Sequence, residues 1–300
     1  MPGKRIAAIG RYRFIKQLTF GCMVLPGTVL YIMFFIVPII WGIYYSFTNY
    51  NGVARKYSFI GLNNYIMGLK NPRFLSSLSF TLRYALCLVI LVSIISLCLA
   101  LLLNQKFALR KYVRAIYFLP AVLSALTVGI VFDEIYARAL PAIGNLFNTA
   151  SMSMNVLSRK NTAFWGILFV HFWQGLAIPT VLFLAGLQVI PEDLVEAAMI
   201  DGAGKVQRFT HITIPFLMPI ISIVLVLALK SGLLVFEYIM AMTKGGPGGS
   251  TESLAYLIYN HGFIERKFST AVAESIMMAV LICGISFIQI SWSNKRRVYQ

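Results

Sequence analysis

Residues 190–215 read IPEDLVEAAMIDGAGKVQRFTHITIP, a polar stretch that lies between two long apolar ones. Pro191 can begin a helix here, because its missing N–H group would have no intrahelical partner in the first turn. The two acidic residues that follow it suit the positive end of the helix dipole. Gly202 and Gly204 are expected to end or bend the helix, since glycine adopts backbone conformations that other residues avoid. Pro215 is expected to open the next helix, so the stretch predicts a short helix, a turn and a second helix.

The segments on both sides of this stretch are strongly apolar. The chain has 300 residues, of which 59% are hydrophobic and 12% are charged, and its mean hydropathy is +0.78. Soluble domains usually carry about 25% charged residues, so this composition leaves too few charges for a surface that faces water. We therefore predict a membrane protein whose apolar surface is covered by lipid.

Six apolar stretches are long enough to cross a bilayer, since a membrane-spanning helix needs about 20 apolar residues. They cover residues 18–41, 80–103, 113–135, 164–187, 214–243 and 270–292. The fold class predicted from them is an all-α, polytopic membrane protein with six transmembrane helices.

Basic residues orient these helices, because Lys and Arg accumulate in short cytoplasmic loops. Residues 104–114 contain four basic residues, and the C-terminal segment 294–300 contains three. We therefore expect the N-terminal segment, residues 1–17, and the C-terminal segment to lie in the cytoplasm. The quoted stretch is then expected to be cytoplasmic as well.

Other functional classes that the composition could suggest are poorly supported. The net charge of +16 could indicate nucleic-acid binding, but the basic residues occur in short runs between apolar stretches, so no nucleic acid is expected as a partner. His171, His211 and His261 are far apart in sequence and predict no metal site. The chain contains no phosphate-binding G-x-x-x-x-G-K-[ST] motif. We therefore expect no catalytic residues, no enzymatic activity and no cofactor bound by this chain.

The quoted stretch closely resembles the EAA loop of binding-protein-dependent ABC importer permeases, whose signature is E-A-A, then Gly, then I-x-L-P. The residues that stand at the spacing of that family are Glu196, Ala197, Ala198, Asp201, Gly202, Ile212 and Pro215. Ile214 replaces the usual Leu, which is a mild departure. The helical pattern without this signature would also fit an ordinary loop helix lying on the bilayer.

Further motifs extend the resemblance over about residues 15–292. The segments that match the family are Phe59–Tyr65, Arg114–Pro120, Leu184–Pro191 and Met242–Glu252. The last of them resembles the T-x-G-G-P…S-T-E segment of the carbohydrate branch, which includes the maltose- and glycerol-phosphate-type permeases. The resemblance implies the fold of a type I ABC importer permease.

The resemblance also implies partners and a division of the chain. The EAA helix of such permeases docks in a groove of a separate ATPase, which would use ATP and Mg²⁺, so residues 191–211 are expected to contain a coupling helix. The expected partners are a second, homologous permease in a heterodimer, two ATPase subunits and an extracytoplasmic solute-binding protein, in the plasma (inner) membrane of a bacterium. Residues 18–75 would form the first transmembrane helix with an external connection, and residues 76–293 the permease core.

Charged residues within the predicted spans are candidates for the transport pathway, because a charge in a membrane costs roughly 2.5–3.5 kcal/mol on insertion scales. Lys230 and Glu237 are seven positions apart in the sequence, so we expect them to share a helix face. They would either line the pathway or pair between helices or subunits.

Polar and aromatic residues in two of the spans are candidates for sugar contacts, since such sites combine aromatic faces with a few polar groups. Trp173, Gln174 and Ser231 fit that description. Ordinary packing would account for Trp173 equally well.

Gly175 and Gly232, which lie beside these residues in the same spans, are also candidates, and the resemblance adds Ala228. The sugar contacts of the maltose-type permease correspond to Gly175, Ala228 and Gly232 in this chain. Two of these positions are polar in that relative, and here they are Ala and Gly. The substrate is therefore expected to differ or to be held by the partner permease.

These observations predict a permease subunit of an ATP-driven sugar importer, with an oligosaccharide as the first candidate substrate. The chain would form half of the translocation pathway and couple to the ATPase through the EAA loop. Glycerol phosphate or another polar solute is an alternative. A less favoured alternative is an ion-coupled secondary transporter, which would need intramembrane carboxylates such as Glu237 and Glu274.

Overall fold

The computed structural model describes the chain in three segments, residues 19–105, 110–149 and 152–297. Their secondary structure is almost entirely helical, which confirms the all-α prediction. An isolated bridge between Thr48 and Phe59 is the β pairing found in these segments. The N-terminal segment expected in the cytoplasm lies outside the described residues, as do the last three residues of the chain.

Twelve helices are described below with the following labels. In chain order they are α1 (Thr19–Ser46), α2 (Asn63–Lys70), α3 (Pro72–Asn104), α4 (Arg110–Val122), α5 (Ala125–Leu146), α6 (Lys160–Gly175), α7 (Ala177–Leu187), α8 (Glu192–Ile200), α9 (205–233), α10 (Glu237–Met242), α11 (Leu254–Tyr259) and α12 (Phe268–Arg297). Short π-helical turns occur within α1, α5 and α9 and directly after α11.

Up to six apolar spans can be assembled from these helices. α1, α3, the segment Lys205–Met242 and the first part of α12 are each long and apolar enough to cross a membrane. The pairs α4–α5 and α6–α7 each pass the same test when they are taken together. Counting each bent pair as one span gives the six spans that the sequence predicts.

Three of the predicted spans are interrupted, which their apolar patterns do not reveal. The span predicted at 113–135 bends by 105° between α4 and α5, and the span predicted at 164–187 bends by 43° between α6 and α7. The span predicted at 214–243 is broken at residues 234–236, between α9 and α10. Pro120 lies inside α4 and contributes to the first bend, because proline removes a backbone donor from the helix.

The helix α9 begins earlier than predicted. Its first residue is Lys205, and the π-helical turn Phe209–Thr213 joins its first turn to Ile214–Leu233 without a break. Pro215 thus lies in the first turn of the regular α-helical part, Ile214–Leu233, as expected, but the continuous helix begins nine residues before that part. Proline is tolerated at that point because the π turn already interrupts the regular hydrogen-bond pattern of the α-helix.

The boundary expected between residues 75 and 76 falls inside α3. This helix begins at Pro72, and the side chain of Asn71 caps it by accepting a hydrogen bond from the backbone N–H of Arg73 at 3.0 Å. The external connection therefore ends at Asn71. It is held to the end of α1 by Asn64, whose amide donates to the carbonyls of Ser46 and Thr48 at 2.7 and 2.8 Å.

The helices pack around three buried apolar clusters. The largest lies at the centre of the bundle and includes Tyr84, Leu88 and Ile167. A second cluster, between α3, α7 and α9, includes Phe183. A third joins the start of α3 to α11 and α12 around Phe74. The first cluster includes Val235, so the break between α9 and α10 lies among buried apolar side chains.

Candidate functional site

The segment that matches the EAA signature forms a short helix closed by a glycine turn. α8 has nine residues and begins with two acidic residues, as predicted. The backbone N–H groups of Gly202 and Ala203 donate to the carbonyls of Met199 and Ala198, at 3.1 and 2.9 Å. These two bonds form a Schellman motif, in which Gly202 takes the required positive φ of 81°. The predicted helix stop at Gly202 is therefore confirmed.

The residues predicted for ATPase coupling lie around this turn. The exposed ones are Glu196, Ala197, Asp201 and Gly202, and the half-buried ones are Ala198, Ile212 and Pro215. Ala198, Asp201, Gly202 and Ile212 line one concave surface of about 450 Å³ in the angle between α8 and α9. Four residues of the predicted set thus meet in one place, although the chain separates Ile212 from α8.

The helix α8 also exposes large apolar side chains. Leu194 is 44% exposed, Met199 is 49% exposed and Ile200 is 86% exposed. Such side chains gathered at one end of a bundle are typical of a protein–protein contact surface. α8 therefore offers a partner both small and large apolar residues.

The turn joins α8 directly to α9. The backbone N–H of Gly204 donates to Oε1 of Gln207 at 2.8 Å, and the N–H of Arg208 donates to the carbonyl of Gly204 at 3.0 Å. α9 then continues to Leu233, deep in the bundle. A displacement of α8 would therefore be carried into the bundle by a helix rather than by a loose loop.

A cavity of about 280 Å³ lies between α3, α6, α7 and α9. Three of the predicted pathway residues, Gly175, Ala228 and Ser231, line it. Its walls are mostly apolar, and the polar side chains among its lining residues are His171 and Ser231. An apolar cavity with a few polar groups is the usual form of a small-molecule site.

His171 is a polar residue of this cavity that the sequence does not single out as a pathway candidate. Its ring is buried, with Nε2 at 2.8 Å from Oγ of Ser231 and Nδ1 at 3.2 Å from the hydroxyl of Tyr84. The ring also stacks on Tyr238, with ring centroids 4.4 Å apart. The signal that could have found it is its position four residues before Gly175, since residues four apart lie on one helix face.

Three other predicted pathway residues have contacts within the chain and do not line the cavity. Gln174 is buried beside Tyr238. Gly232 packs against α3, because a Cβ atom at this position would lie 2.6 Å from the Cα of Ala85. Trp173 is 36% exposed and packs its ring edge against Phe132. Their positions favour packing roles in this chain.

Lys230 and Glu237 do not share a helix face, contrary to the expectation. The break at 234–236 separates α9 from α10, so helical periodicity does not extend from one residue to the other. Both side chains are exposed, and the described residues provide neither with an ion-pair partner. Because charges within spans avoid lipid, we expect the surface that carries them to face protein or water.

An ionic network at the opposite end of the bundle from α8 was not predicted. Arg73, in the first turn of α3, donates to both carboxylate oxygens of Glu252, at 2.8 and 2.7 Å. It also donates to Glu265, which accepts a further bond from Lys267 at 2.8 Å. These bonds fasten the segment 243–267 to α3. Contacts between residues about 180 positions apart leave no local signal in the sequence.

The cations of this network hold the pKa of Glu265 at about 2, below its usual 4.5. The largest cause is the hydrogen bond from Lys267, and the bond from Arg73 and the charge of His261 act in the same direction. Partial burial opposes them. The folded protein therefore favours the ionised form of this carboxylate.

Glu274, an intramembrane carboxylate that an ion-coupled transporter could use, is buried beside His261. Nδ1 of His261 lies 3.0 and 2.8 Å from the two carboxylate oxygens. The pair joins the π turn after α11 to α12. A pairing that holds two helices together favours a structural role for Glu274.

The segment around Glu252 is fixed by its hydroxyl groups. Thr251 donates to the hydroxyl of Thr243 at 2.9 Å, and Ser253 donates to the carbonyl of Val235 at 2.7 Å. Val235 lies in the break between α9 and α10, where its carbonyl is outside regular helix. Ser253 therefore satisfies a backbone group that the broken span exposes.

The histidines occupy three separate places. His171 lies at the cavity, His211 lies beside the α8 turn and His261 lies in the pair with Glu274. Within residues 19–105, 110–149 and 152–297, no group of three or more His, Cys, Asp and Glu side chains could hold a metal ion.

Comparison with known sequences places these features in a family context. A family profile described as "Binding-protein-dependent transport system inner membrane component" matches residues 94–298. The chain is 39% identical over 270 residues to the "Multiple sugar-binding transport system permease protein MsmF" of Streptococcus mutans, an alignment that covers 90% of this chain and 93% of the relative. It is 31% identical to the "Trehalose/maltose transport system permease protein MalF" of Thermococcus litoralis, with 92% and 93% covered. It is 29% identical to the "sn-glycerol-3-phosphate transport system permease protein UgpA" of Pectobacterium atrosepticum, with 93% and 95% covered.

Comparison with solved structures shows the same fold. A chain of a bacterial ABC transporter "involved in the import of the acidic polysaccharide alginate" superposes with a TM-score of 0.81 at 23% identity, covering 95% of this chain and 98% of that one. A second structure, of an alginate ABC transporter "in complex with alginate pentasaccharide-bound periplasmic protein", gives a TM-score of 0.80 at 22% identity, covering 95% and 97%. At these identities the likeness concerns the fold alone.

Proposed function

Because this chain belongs to the family of binding-protein-dependent transport system inner membrane components, we propose that it is a permease subunit of an ATP-driven sugar importer. It is a non-catalytic, multi-pass membrane component, and it would form half of the translocation pathway. The relatives named for multiple sugars and for trehalose and maltose support a saccharide as the substrate. An oligosaccharide is our first candidate.

The observation that carries the proposal is the exposed helix α8 and its direct connection to α9. A separate ATPase would dock against α8 and the concave surface beside it, and would itself bind ATP and Mg²⁺. Glu196 could pair with a basic residue of that partner, while Ala197 and Ala198 permit a close approach. Movement of α8 would then reach the cavity through α9, whose residues Ala228 and Ser231 line it.

The proposed assembly contains four kinds of subunit. A second, homologous permease would complete the pathway as a heterodimer, two ATPase subunits would dock at the α8 end, and a solute-binding protein would dock at the opposite end. The uncompensated charges of Lys230 and Glu237 support the first of these partners, because a second permease would shield them from lipid. In this arrangement both termini of the chain lie in the cytoplasm of a bacterium.

We propose that the cavity contributes a few sugar contacts to the pathway. The polar groups of His171 and Ser231 would bond sugar hydroxyls, and the apolar walls would contact the faces of the rings. Gly175 and Ala228 leave space beside them. The small volume of the cavity fits a pathway that two permeases share.

The proposal is tested by uptake in cells that carry the complete importer. The cells receive a panel of radiolabelled saccharides, for example maltotriose and raffinose, and labelled glycerol 3-phosphate as the competing substrate class. We expect uptake of at least one saccharide, and its loss with either Glu196→Lys or Gly202→Pro at unchanged amounts of protein in the membrane. Glu134→Lys, a charge reversal at an exposed residue of α5, serves as the matched control.

Two results would contradict the proposal. Uptake of glycerol 3-phosphate without uptake of any saccharide would show that the substrate is not a sugar and would favour the class for which the relative from Pectobacterium atrosepticum is named. Normal saccharide uptake by both α8 variants would contradict the role of α8 in coupling to the ATPase, but it would not contradict the proposal that the substrate is a saccharide.

A further inference from the structure

The side chain of Gln174 lies where three interrupted spans meet. It belongs to the last turn of α6, directly before the bend that separates α6 from α7. Its Nε2 donates to the carbonyls of Pro120 and Leu123, at 3.1 and 2.8 Å. Its Oε1 accepts a hydrogen bond from the hydroxyl of Tyr238, at 2.7 Å. One amide thus contacts the bend between α4 and α5 and the first turn of α10.

The bond to Leu123 satisfies a backbone carbonyl that the bend leaves exposed, whereas the carbonyl of Pro120 also accepts from the backbone N–H of Leu123 at 3.2 Å. A span that turns by 105° cannot continue its ladder of hydrogen bonds through the bend, and Leu123 lies outside both helices. Within a membrane no water is available for the freed carbonyls, so a neighbouring side chain must bond them. Gln174 donates both N–H groups of its amide to these carbonyls. Because a carbonyl can only accept, the two contacts identify this atom of the amide as nitrogen.

The same amide is connected to the cavity through Tyr238. This side chain is buried, bonds Gln174 with its hydroxyl and stacks its ring on His171. His171 in turn contacts Ser231, which lines the cavity on α9. A continuous set of contacts therefore runs from Ser231 to the bend of the third span and crosses α9, α6 and α10 on the way.

We propose that Gln174 is a positioning residue that sets the angle between α4 and α5 and ties it to the state of the cavity. A change in the cavity that moves His171 or Ser231 would shift Tyr238, alter its bond to the amide and change how firmly the amide holds Pro120 and Leu123. The link to transport rests on the proposed function. The effect on the bend does not, because it follows from contacts within this chain.

The experiment measures the bend directly in the full-length chain in lipid nanodiscs. The four cysteines are first replaced by alanine, and spin labels are attached to cysteines at Ile116 on α4 and Ile130 on α5, which are 72% and 57% exposed. The distance between the labels is then measured by pulsed electron paramagnetic resonance. No substrate is needed for this measurement.

We expect Gln174→Leu to shift and broaden the distribution of distances, because it removes both donors from the bend. Tyr238→Phe should produce a smaller broadening, since Gln174 keeps its bonds to the two carbonyls. The matched control is Tyr136→Phe, which removes a buried hydroxyl that donates to the carbonyl of Gly166, and it should give the wild-type distribution.

The wild-type distribution in Gln174→Leu would overturn the inference, whatever the importer transports. If that variant does not reach the membrane, Gln174→Met keeps the length of the side chain without its donors. If neither accumulates, Tyr238→Phe alone must broaden the distribution for the inference to stand.

A second readout separates positioning from simple loss of stability. In the assembled importer, the ratio of ATP hydrolysis with the solute-binding protein to hydrolysis without it should fall in Gln174→Leu per molecule of folded complex. A residue with only a structural role would lower the amount of complex and leave this ratio unchanged. If the bend is disturbed but the stimulation of ATP hydrolysis is normal, Gln174 sets the angle between α4 and α5 without linking it to transport, and that part of the proposal is wrong.

Discussion

Two glycines lie two positions apart in the turn after α8, and the structure requires glycine at one of them. Gly202 has φ at 81°, whereas Gly204 has φ at −67° and ψ at 167°, which any residue adopts. Gly202→Ala should destabilise the turn by about 1 kcal/mol, because L-residues avoid the left-handed region. Faster hydrogen exchange at the backbone N–H groups of Gly202 and Ala203 should reveal the loss.

Gly204→Ala is the matched control for this prediction. A Cβ at position 204 meets Oε1 of Gln207 at 3.8 Å, which is an ordinary contact. Exchange in this variant should therefore equal that of the wild type. Equal effects of the two substitutions would show that the turn depends on small size rather than on the positive φ.

Glu265 gives a prediction about pH. Its pKa is lowered from 4.5 to about 2 in the folded protein, so its ionised form contributes stability that is fully present above the unfolded value and disappears as the pH falls through the folded value. Glu265→Gln should lower the melting temperature at neutral pH. The difference from the wild type should shrink as the pH is lowered below 4.5, as thermal unfolding in detergent would show.

Glu134→Gln provides the comparison for the pH experiment. Glu134 and Arg138 form an exposed pair on one helix, at 2.8 Å, with side chains 58% and 81% exposed. Exposed pairs of this kind contribute little, because water and salt screen them. A pH-dependent difference as large as that of Glu265→Gln would mean that the network around Arg73 has no special importance.

At the scale of helices, one close packing contact to test is between α9 and α3. A Cβ atom added to Gly232 would lie 2.6 Å from the backbone Cα of Ala85, so the helices would have to separate. Gly232→Ala should destabilise the protein by about 1–3 kcal/mol, the usual range for overpacking. Gly284→Ala in α12, where a Cβ meets nothing within 4 Å, should not lower the thermal stability in detergent and should raise it slightly, because alanine is the better helix former.

The helices themselves were largely predictable, and their breaks were not. Apolar length locates six spans because crossing a membrane imposes a minimum length on every sequence. The breaks depend on contacts between distant residues, such as Ser253 with Val235 and Gln174 with Leu123. Because no local pattern encodes such contacts, the sequence wrongly placed Lys230 and Glu237 on one face.

The two candidate sites differ in how far the sequence could predict them. The α8 turn is local, so its helix start, its glycine stop and its exposed small residues can be read from consecutive positions. The cavity is assembled from four helices, and the sequence found Gly175, Ala228 and Ser231 but missed His171. A histidine in an apolar span has no informative neighbours until the helices are packed together.

For the whole molecule, the energy source distinguishes the proposed importer from an ion-coupled transporter. Saccharide uptake into right-side-out vesicles should require ATP on the α8 side, which is their interior, and should be abolished by vanadate, because a partner ATPase drives it. Collapse of the proton gradient by an uncoupler should leave it nearly unchanged. Uptake that survives vanadate but is abolished by the uncoupler would favour the ion-coupled alternative. The buried pairing of Glu274 with His261 argues against that alternative, because it occupies the carboxylate that such a transporter would use.

The path of α9 from the α8 turn to Leu233, which continues through its π turn, makes the number of residues in it critical. Adding one residue to a helix rotates everything beyond it by about 100° and advances it by about 1.5 Å. A single insertion between Lys205 and the cavity would therefore point α8 towards a different side of the molecule, even if every side chain around it were retained. We expect this part of the gene to accept many substitutions and almost no changes of length.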